Sequence, residues 1–133
     1  MDHVIDGVDL LPHIAVAGTD STQTPFDAIH DKLFWRSGDY MALRAGDWKI
    51  QKAKKPLKTW LYNLKSDPEE RENLADNDEH KSTLEDLLRL LEIENSQQAE
   101  PLWPSLCETP MLVDKISTDQ YIPGQDEFIY WAN

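Results

Sequence analysis

This chain contains little cysteine, little glycine and no long apolar run. Its 133 residues include one cysteine, Cys107, and five glycines. A single cysteine cannot form a disulfide within the chain or a thiolate metal site, and so few glycines provide no glycine-rich phosphate loop. No apolar run approaches the roughly 20 residues that cross a bilayer. The sequence therefore predicts neither a disulfide-stapled domain, nor a phosphate loop, nor a membrane span.

Basic residues are also scarce. The chain has 13 lysines and arginines against 25 acidic residues, which gives a formal net charge of −12. A field of that sign repels phosphate backbones and anionic membrane surfaces. We therefore expect no nucleic-acid partner and no membrane partner. The opening residues Met1-Asp2-His3 lack the basic start of a signal peptide, so no export signal is expected and the compartment stays unknown.

The histidines and acids do not form a metal or catalytic motif at a recognised spacing. The acids of the first ten residues do not have the spacing of an EF-hand loop, and those near Glu70 flank a turn and a helix start, where carboxylates satisfy backbone donors. The sequence predicts no catalytic and no metal-ligating residue. The four histidines are too far apart for a zinc motif at helical spacing: His3, His13, His30 and His80.

Three regions follow one another along the chain. Residues 1–30 have the composition of an incoming connecting segment, residues 31–100 hold strand and helix patterns, and residues 101–133 form a proline-rich tail that ends in a docked strand. In the middle region, strands are predicted at 32–36, at 40–51 around the turn residues Gly46-Asp47, and at 60–64. This pattern predicts an α+β fold, a small antiparallel sheet of three to four strands with one long helix packed on it.

The helix is predicted to begin after Asn77, a good N-cap residue, and to continue to about Gln98. Leu90 and Ile93 lie off its main apolar stripe, so we expect a second covered side of the helix, formed by the tail. The stripe itself has leucines at spacings of three and four, which favours packing against a sheet: Leu84, Leu87, Leu88 and Leu91.

The tail ends in an aromatic run that is costly to leave in water. Phe128, Tyr130 and Trp131 are predicted to add a last strand or to pack across the helix. The alternative is that this tail swaps onto a partner chain.

The order of several short segments resembles the C-terminal part of the sulfatases, in particular the arylsulfatase-like members. The resemblance covers residues 6 to about 95, and it implies a small antiparallel sheet, usually of four strands, with a long helix packed on it. The segments are Asp6-Gly7-Val8-Asp9-Leu10-Leu11-Pro12, Leu33-Phe34-Trp35-Arg36, Ala42-Leu43-Arg44-Ala45-Gly46-Asp47-Trp48-Lys49, Leu61-Tyr62-Asn63-Leu64, Asp67-Pro68-Glu69-Glu70 and Asn73-Leu74-Ala75.

The same resemblance implies where the chemistry lies. Sulfatases hydrolyse sulfate esters with a formylglycine made from the first residue of a Cys/Ser-x-Pro-x-Arg motif, beside a calcium ion, in a larger N-terminal α/β domain. Cys107 is followed by Glu108, Thr109 and Pro110, so it does not match that motif. The resemblance therefore implies no cofactor in this chain, with calcium and formylglycine expected only in a catalytic domain that precedes Asp6, and no activity of the chain alone.

The resemblance implies a C-terminal subdomain that supports the catalytic domain of a sulfatase, its expected partner, and that lines part of the substrate cleft. The substrate-binding candidates are Trp35, Arg36 and Arg44, because arginine suits an anionic sulfate and tryptophan a ring. The alternative interpretation gives these residues no role in binding: Trp35 is a core residue, and Arg36 is a surface charge or forms an interdomain ion pair. Two alternatives stay open: a stand-alone binding module that forms a homo-oligomer through exposed apolar surface, and one half of a split sulfatase.

Overall fold

The computed structural model describes residues 7, 9, 11, 30–100, 102–103, 107–113, 115–116, 118–126 and 128–132. The chain divides into two compact units, Met1–Asp31 and Lys32–Asn133. In the first unit the backbone N–H of Leu11 donates to the carboxylate of Asp9 at 3.0 Å. The predicted connecting segment 1–30 otherwise lies outside the described residues, and every element below belongs to the second unit.

Four antiparallel strands form a meander in the order β1-β2-β3-β4. One long helix, α1 (Lys81–Ser96), packs on this sheet. The predicted fold class, α+β with a small antiparallel sheet and one long helix, is confirmed. The strands are β1 (Lys32–Ser37), β2 (Tyr40–Ala45), β3 (Trp48–Lys54) and β4 (Leu57–Asn63).

A two-residue turn divides the segment that the sequence predicts as one strand at 40–51. Ala45 pairs with Trp48, and Gly46 between them has a φ of +57°. Glycine adopts this left-handed conformation without the steric penalty of a Cβ. The single strand is therefore wrong, and the chain reverses direction here. The next strand also begins earlier than predicted, at Leu57 rather than at residue 60.

One face of the sheet, which we call the helix face, is closed by α1. Its central row runs Phe34, Leu43, Ile50 and Leu61 through the paired strands. From the helix, Leu87 and Leu91 are buried against it, and Leu84, Leu88 and Leu90 pack around the same cluster. The leucine stripe is thus core. Ile93 remains 42 % exposed, so the expected cover over a second side of the helix is wrong at this residue.

A short 3₁₀ helix (Asp78–His80) precedes α1. The side chain of Asn77 accepts a hydrogen bond from the backbone N–H of Glu79 at 3.0 Å, which satisfies one of the orphan donors of a helix start. Asn77 thus caps the 3₁₀ helix and not α1, whose N-cap residue is His80, without a side-chain cap hydrogen bond; the prediction that α1 begins directly after Asn77 is therefore wrong by three residues. The helix ends at Ser96, two residues before the predicted end.

The opposite face, which we call the tail face, carries β5 (Glu108–Met111) and β6 (Ile129–Ala132), which pair antiparallel as a separate two-stranded sheet. Ile129 is fully buried in a cluster with Ala42, Trp60 and Tyr62. Tyr130 is 51 % exposed, because successive side chains of a strand point to opposite sides.

The aromatic run contributes Tyr130 and Trp131 to β6, so the prediction that it adds a last strand is confirmed. Phe128 is 37 % exposed, and its ring stacks on Tyr121 with centroids 5.1 Å apart. Among the residues of this strand whose burial is described, the aliphatic Ile129 enters the core. It does so on the tail face, so the alternative prediction, packing across the helix, is wrong for Ile129.

Candidate functional site

A cavity of about 460 Å³ lies on the tail face. Ala42 and Gln51, on the neighbouring strands β2 and β3, are buried at 4 % and 3 % exposure and contribute to its lining. Trp35 and Arg44 also line the cavity, together with the segment 111–113 that follows from β5. The cavity is therefore bounded by both the meander and the tail.

A chain of hydrogen bonds runs along one wall of the cavity. Lys49 Nζ donates to both carboxylate oxygens of Glu70, at 2.6 and 2.7 Å. Gln51 Nε2 donates to Glu70 Oε2 at 2.7 Å, and the Tyr40 hydroxyl donates to Gln51 Oε1. Since Lys49 and Glu70 are only 23 % and 22 % exposed, these contacts are shielded from water and hold the wall rigid.

Tyr40 supplies the neutral end of this chain. Burial raises the pKa of its phenol above the ordinary value, and the negative charge of Glu70 raises it further. Both effects disfavour a phenolate. Tyr40 is therefore a hydrogen-bond donor, not an acid, at neutral pH.

Glu70 reaches the cavity from the loop after β4, in an unusual backbone conformation. Its φ is +57°, a region that L-residues with side chains seldom occupy. Earlier in the same loop, the backbone N–H groups of Arg71 and Glu72 hold the pKa of Asp67 below its usual value, and the Glu72 donor lies 2.9 Å from the carboxylate. The loop is thus ordered by its own hydrogen bonds while Glu70 bonds to β3.

Two of the three predicted substrate-binding residues lie together at the cavity. Trp35 is opposite Ala42 and Leu33 is opposite Arg44 in the β1–β2 ladder, so Trp35 and Arg44 are diagonal neighbours on one face, a separation of about 7 to 8 Å between backbones. Trp35 is 48 % exposed. Trp35 is therefore not a core residue, contrary to the alternative interpretation that gives it no role in binding.

Arg36 lies on the helix face, away from the cavity. Its Nη1 donates to Asn95 Oδ1 at 3.0 Å and its Nη2 donates to the carbonyl oxygen of Ala99 at 2.6 Å. These bonds satisfy one side-chain oxygen in the last turn of α1 and one backbone carbonyl just after the helix ends. Trp35 and Arg36 are consecutive in a strand and must face opposite sides of the sheet, so the structure does not bring the three candidates together.

Sequence reasoning missed the residues that form the polar wall. Lys49 and Gln51 alternate with the apolar Trp48 and Ile50, which is the signal that this side of β3 carries polar groups. No local pattern places Glu70 beside them, since it lies 21 residues after Lys49. Only the return of the chain after β4 makes that contact.

In the part of the chain that the structure describes, no group of three or more His, Cys, Asp or Glu side chains converges as metal ligands would. Within the same part, no helix is long and apolar enough to cross a membrane. In comparisons with known proteins, no protein-family model matches this chain and no curated protein matches it. The relation to sulfatases stays a prediction.

Proposed function

We propose that this chain is the C-terminal subdomain of a sulfatase. In this proposal it stabilises the catalytic α/β domain, and its tail face forms part of the wall of the substrate cleft. One observation carries the proposal: two segments of the resemblance are bonded to each other beside the cavity. The ion pair between Lys49 and Glu70 joins the segment 42–49 to the segment 67–70.

The last segment of the resemblance is tied to the sheet in the same way. The Asn73 side chain accepts from the backbone N–H of Leu61 at 2.9 Å and donates to the carbonyl oxygen of Thr59 at 3.2 Å. The backbone N–H of Leu74 then donates to the Leu61 carbonyl at 2.8 Å. Asn73 thus satisfies backbone groups at the edge of β4, which favours a structural role for this segment.

The other edge of the sheet offers a surface for a partner domain. In the described residues β1 pairs on one side alone, with β2. Leu33 and Trp35 on this edge are 37 % and 48 % exposed. An unpaired edge with apolar side chains is a site at which another domain can pair or pack, and the catalytic domain of a sulfatase is the occupant that the proposal assigns to it.

The proposal is tested first on the coding sequence upstream of this chain. We expect a reading frame, in phase or adjacent, that encodes a Cys/Ser-x-Pro-x-Arg motif. The joined polypeptide or the mixed pair should hydrolyse a chromogenic aryl sulfate with calcium supplied, whereas the 133-residue chain alone should show no turnover. An adjacent frame would identify a split sulfatase.

One variant and its matched control then test whether the tail face contributes to the cleft. In the active assembly, Trp35→Ala should raise KM and leave kcat nearly unchanged, because Trp35 lies at the cavity and not at the reacting group. Trp103→Ala is the matched control, since Trp103 is 76 % exposed and does not line the cavity. An upstream frame without the motif contradicts the proposal. So does turnover by this chain alone that is abolished by replacing one of its own residues.

The exposed edge of β1 also supports a second candidate, a stand-alone module that pairs with its own copy through Leu33 and Trp35. Light scattering of the purified chain decides between the two. A stable dimer that becomes monomeric on Leu33→Lys favours the module, and a monomer favours the subdomain.

A further inference from the structure

One wall of the cavity belongs to the tail and not to the meander. Leu112 and Val113, directly after β5, line this wall, and Val113 also packs on the cluster around Ile129. They open a connection that leads from β5 to β6, which we call the strap; its described residues are 112–113, 115–116 and 118–126. The sheet of β5 and β6 is separate from the meander, so side-chain contacts join the strap to the rest of the molecule.

The strap is ordered by its own contacts. Lys115 Nζ and Asp126 Oδ2 form an ion pair at 3.0 Å, in which the two side chains are only 16 % and 10 % exposed. The same carboxylate accepts a hydrogen bond from the backbone N–H of Ile122 at 2.5 Å. The backbone N–H of Asp119 donates to the carbonyl oxygen of Ile116 at 2.9 Å. A segment with this many internal bonds can move as one body.

Among the described residues, one ion pair joins the strap to the loop after β4, and we call it the latch. Arg71 Nη1 donates to Asp119 Oδ2 at 2.6 Å, and the two side chains are 43 % and 24 % exposed. Asp119 Oδ2 also accepts from the backbone N–H of Ile116 at 3.1 Å, which orients it. Partly exposed ion pairs are weak and are screened by salt. The latch can therefore break while the apolar core stays intact.

The latch starts at the residue after the polar wall. Glu70 bonds to Lys49 and Gln51 on β3, and Arg71 bonds to the strap. The φ of Glu70 is +57°, a conformation that residues with a Cβ retain only where surrounding contacts hold it. Two consecutive side chains thus fix two walls of the same cavity.

We propose that the strap is a lid on the cavity, held closed by the latch between Arg71 and Asp119. In the closed form, Leu112 and Val113 complete the wall. When the latch breaks, the strap swings away as one body about β5 and β6, while Ile129 stays in the core. The cavity then becomes an open groove on the tail face. The proposal does not depend on the relation to sulfatases, because every contact lies within this chain.

The test measures how often the cavity is open. Ala42 lines the cavity and is 4 % exposed, so Ala42→Cys in a Cys107→Ser background provides one thiol beneath the lid. Its reaction rate with a thiol reagent reports the open population when closing is faster than the reaction. Arg71→Gln should raise this rate about threefold, as expected for the loss of a partly exposed ion pair. Salt at about 1 M should raise the rate with the latch present and not in Arg71→Gln.

A second variant breaks the latch from the strap side. Asp119→Asn keeps an oxygen for the backbone N–H of Ile116 and should raise the rate by the same factor. Since it changes the charge in the opposite sense to Arg71→Gln, equal effects exclude an electrostatic influence on the thiol. The double variant should react no faster than either single variant, because both substitutions break one contact. The controls Glu69→Gln, which removes the other partner of Arg71, and Arg89→Gln on α1 should leave the rate unchanged.

Hydrogen exchange distinguishes a moving lid from unfolding. In Arg71→Gln, the amides of β2 and β3 should exchange at wild-type rates, because the meander stays folded. The amide of Asp126, which donates to the carbonyl oxygen of Ile122 inside the strap at 3.1 Å, should also be unchanged. If Ala42→Cys does not fold, Val113→Cys on the strap replaces it as the reporter.

Three results would overturn the proposal. The first is an unchanged thiol reaction rate in both latch variants. The second is additive effects of Arg71→Gln and Asp119→Asn, which would show that the two residues act through separate contacts. The third is faster exchange in β2 and β3 or at Asp126 that parallels the thiol rate, which would show that the ion pair stabilises the fold and does not close a lid.

Discussion

On the helix face, Leu43, Ile50 and Leu61 are fully buried beneath the leucines of α1, whereas on the tail face the buried Gln51 is bonded to Tyr40 and Glu70. The first face is held by apolar contact, which is strong but not directional. The second also depends on hydrogen bonds with defined geometry. An apolar face closes completely, while a polar network can hold a wall in place and leave a cavity beside it.

The largest expected effect is on the helix face. Leu91→Ala should lower the free energy of unfolding by about 2 to 5 kcal/mol, because Leu91 is fully buried and its loss leaves a cavity. Urea unfolding followed by circular dichroism measures this change. Ile93→Ala on the same helix is the control and should change stability by about 0.5 kcal/mol or less, since Ile93 is 42 % exposed. Equal losses would mean that the helix is not docked by this stripe.

The second effect tests how the tail is held. Ile129→Ala should cost about 2 kcal/mol, at the low end for such a substitution, because β6 belongs to a separate two-stranded sheet that can open locally. Hydrogen exchange of the β5 and β6 amides should accelerate in this variant. Tyr130→Ala, at a half-exposed position, should cost about 0.5 kcal/mol. A larger loss for Tyr130 than for Ile129 would show that Tyr130, and not Ile129, anchors the tail.

The third effect concerns the polar wall. Glu70→Gln keeps the shape of the side chain but removes the charge that Lys49 and Gln51 contact, so we expect a loss of about 1.5 to 3 kcal/mol. Glu69→Gln is the matched control at the neighbouring position, where the carboxylate is exposed and bonds to Arg71; there the change should be within about 0.5 kcal/mol. Thermal melting of both variants provides the comparison. A loss below about 0.5 kcal/mol for Glu70→Gln would show that the wall is not rigid.

The smallest effect depends on pH. Since the pKa of Tyr40 is raised by burial and by Glu70, the folded chain keeps its phenolic proton above pH values of about 10, where the unfolded chain loses it. Stability should therefore fall as pH rises above about 10. Tyr40→Phe removes this contribution, so the stability difference between wild type and variant should be constant from about pH 7 to 9 and then shrink. A constant difference up to about pH 11 would contradict a buried neutral phenol.

The fold followed from local patterns to a large extent. The leucines at spacings of three and four indicated the buried side of α1, and Asn77 marked the start of the 3₁₀ helix that leads into it. The same reasoning identified the turn residues Gly46-Asp47 but counted residues 40–51 as one strand, because alternation continues on both sides of the turn; the φ of Gly46 shows that the chain reverses there. It predicted a last strand from the aromatic run, and in that strand alternation buries the aliphatic Ile129 and leaves Tyr130 half exposed.

The site was less accessible to sequence reasoning. Trp35 and Arg44 were identified by their chemistry, and the register of β1 and β2 brings them together. Arg36 has the same guanidinium group as Arg44. Because side chains alternate between the two faces along β1, Arg36 lies on the helix face, where it bonds to Asn95 and Ala99. Residue type predicts what a side chain can bind, whereas its position in the strand decides which face it serves.

The sequence by itself determined the long helix, most of the meander and the strand that ends the tail, because helix and strand periods and turn residues act over a few positions of the chain. Only the tertiary structure decided the tail face. The contact of Glu70 with Lys49 and Gln51 spans about twenty residues, and the cavity needs the meander and the tail in place together. Such long-range polar contacts have no period in sequence, since they depend on where the folded backbone returns.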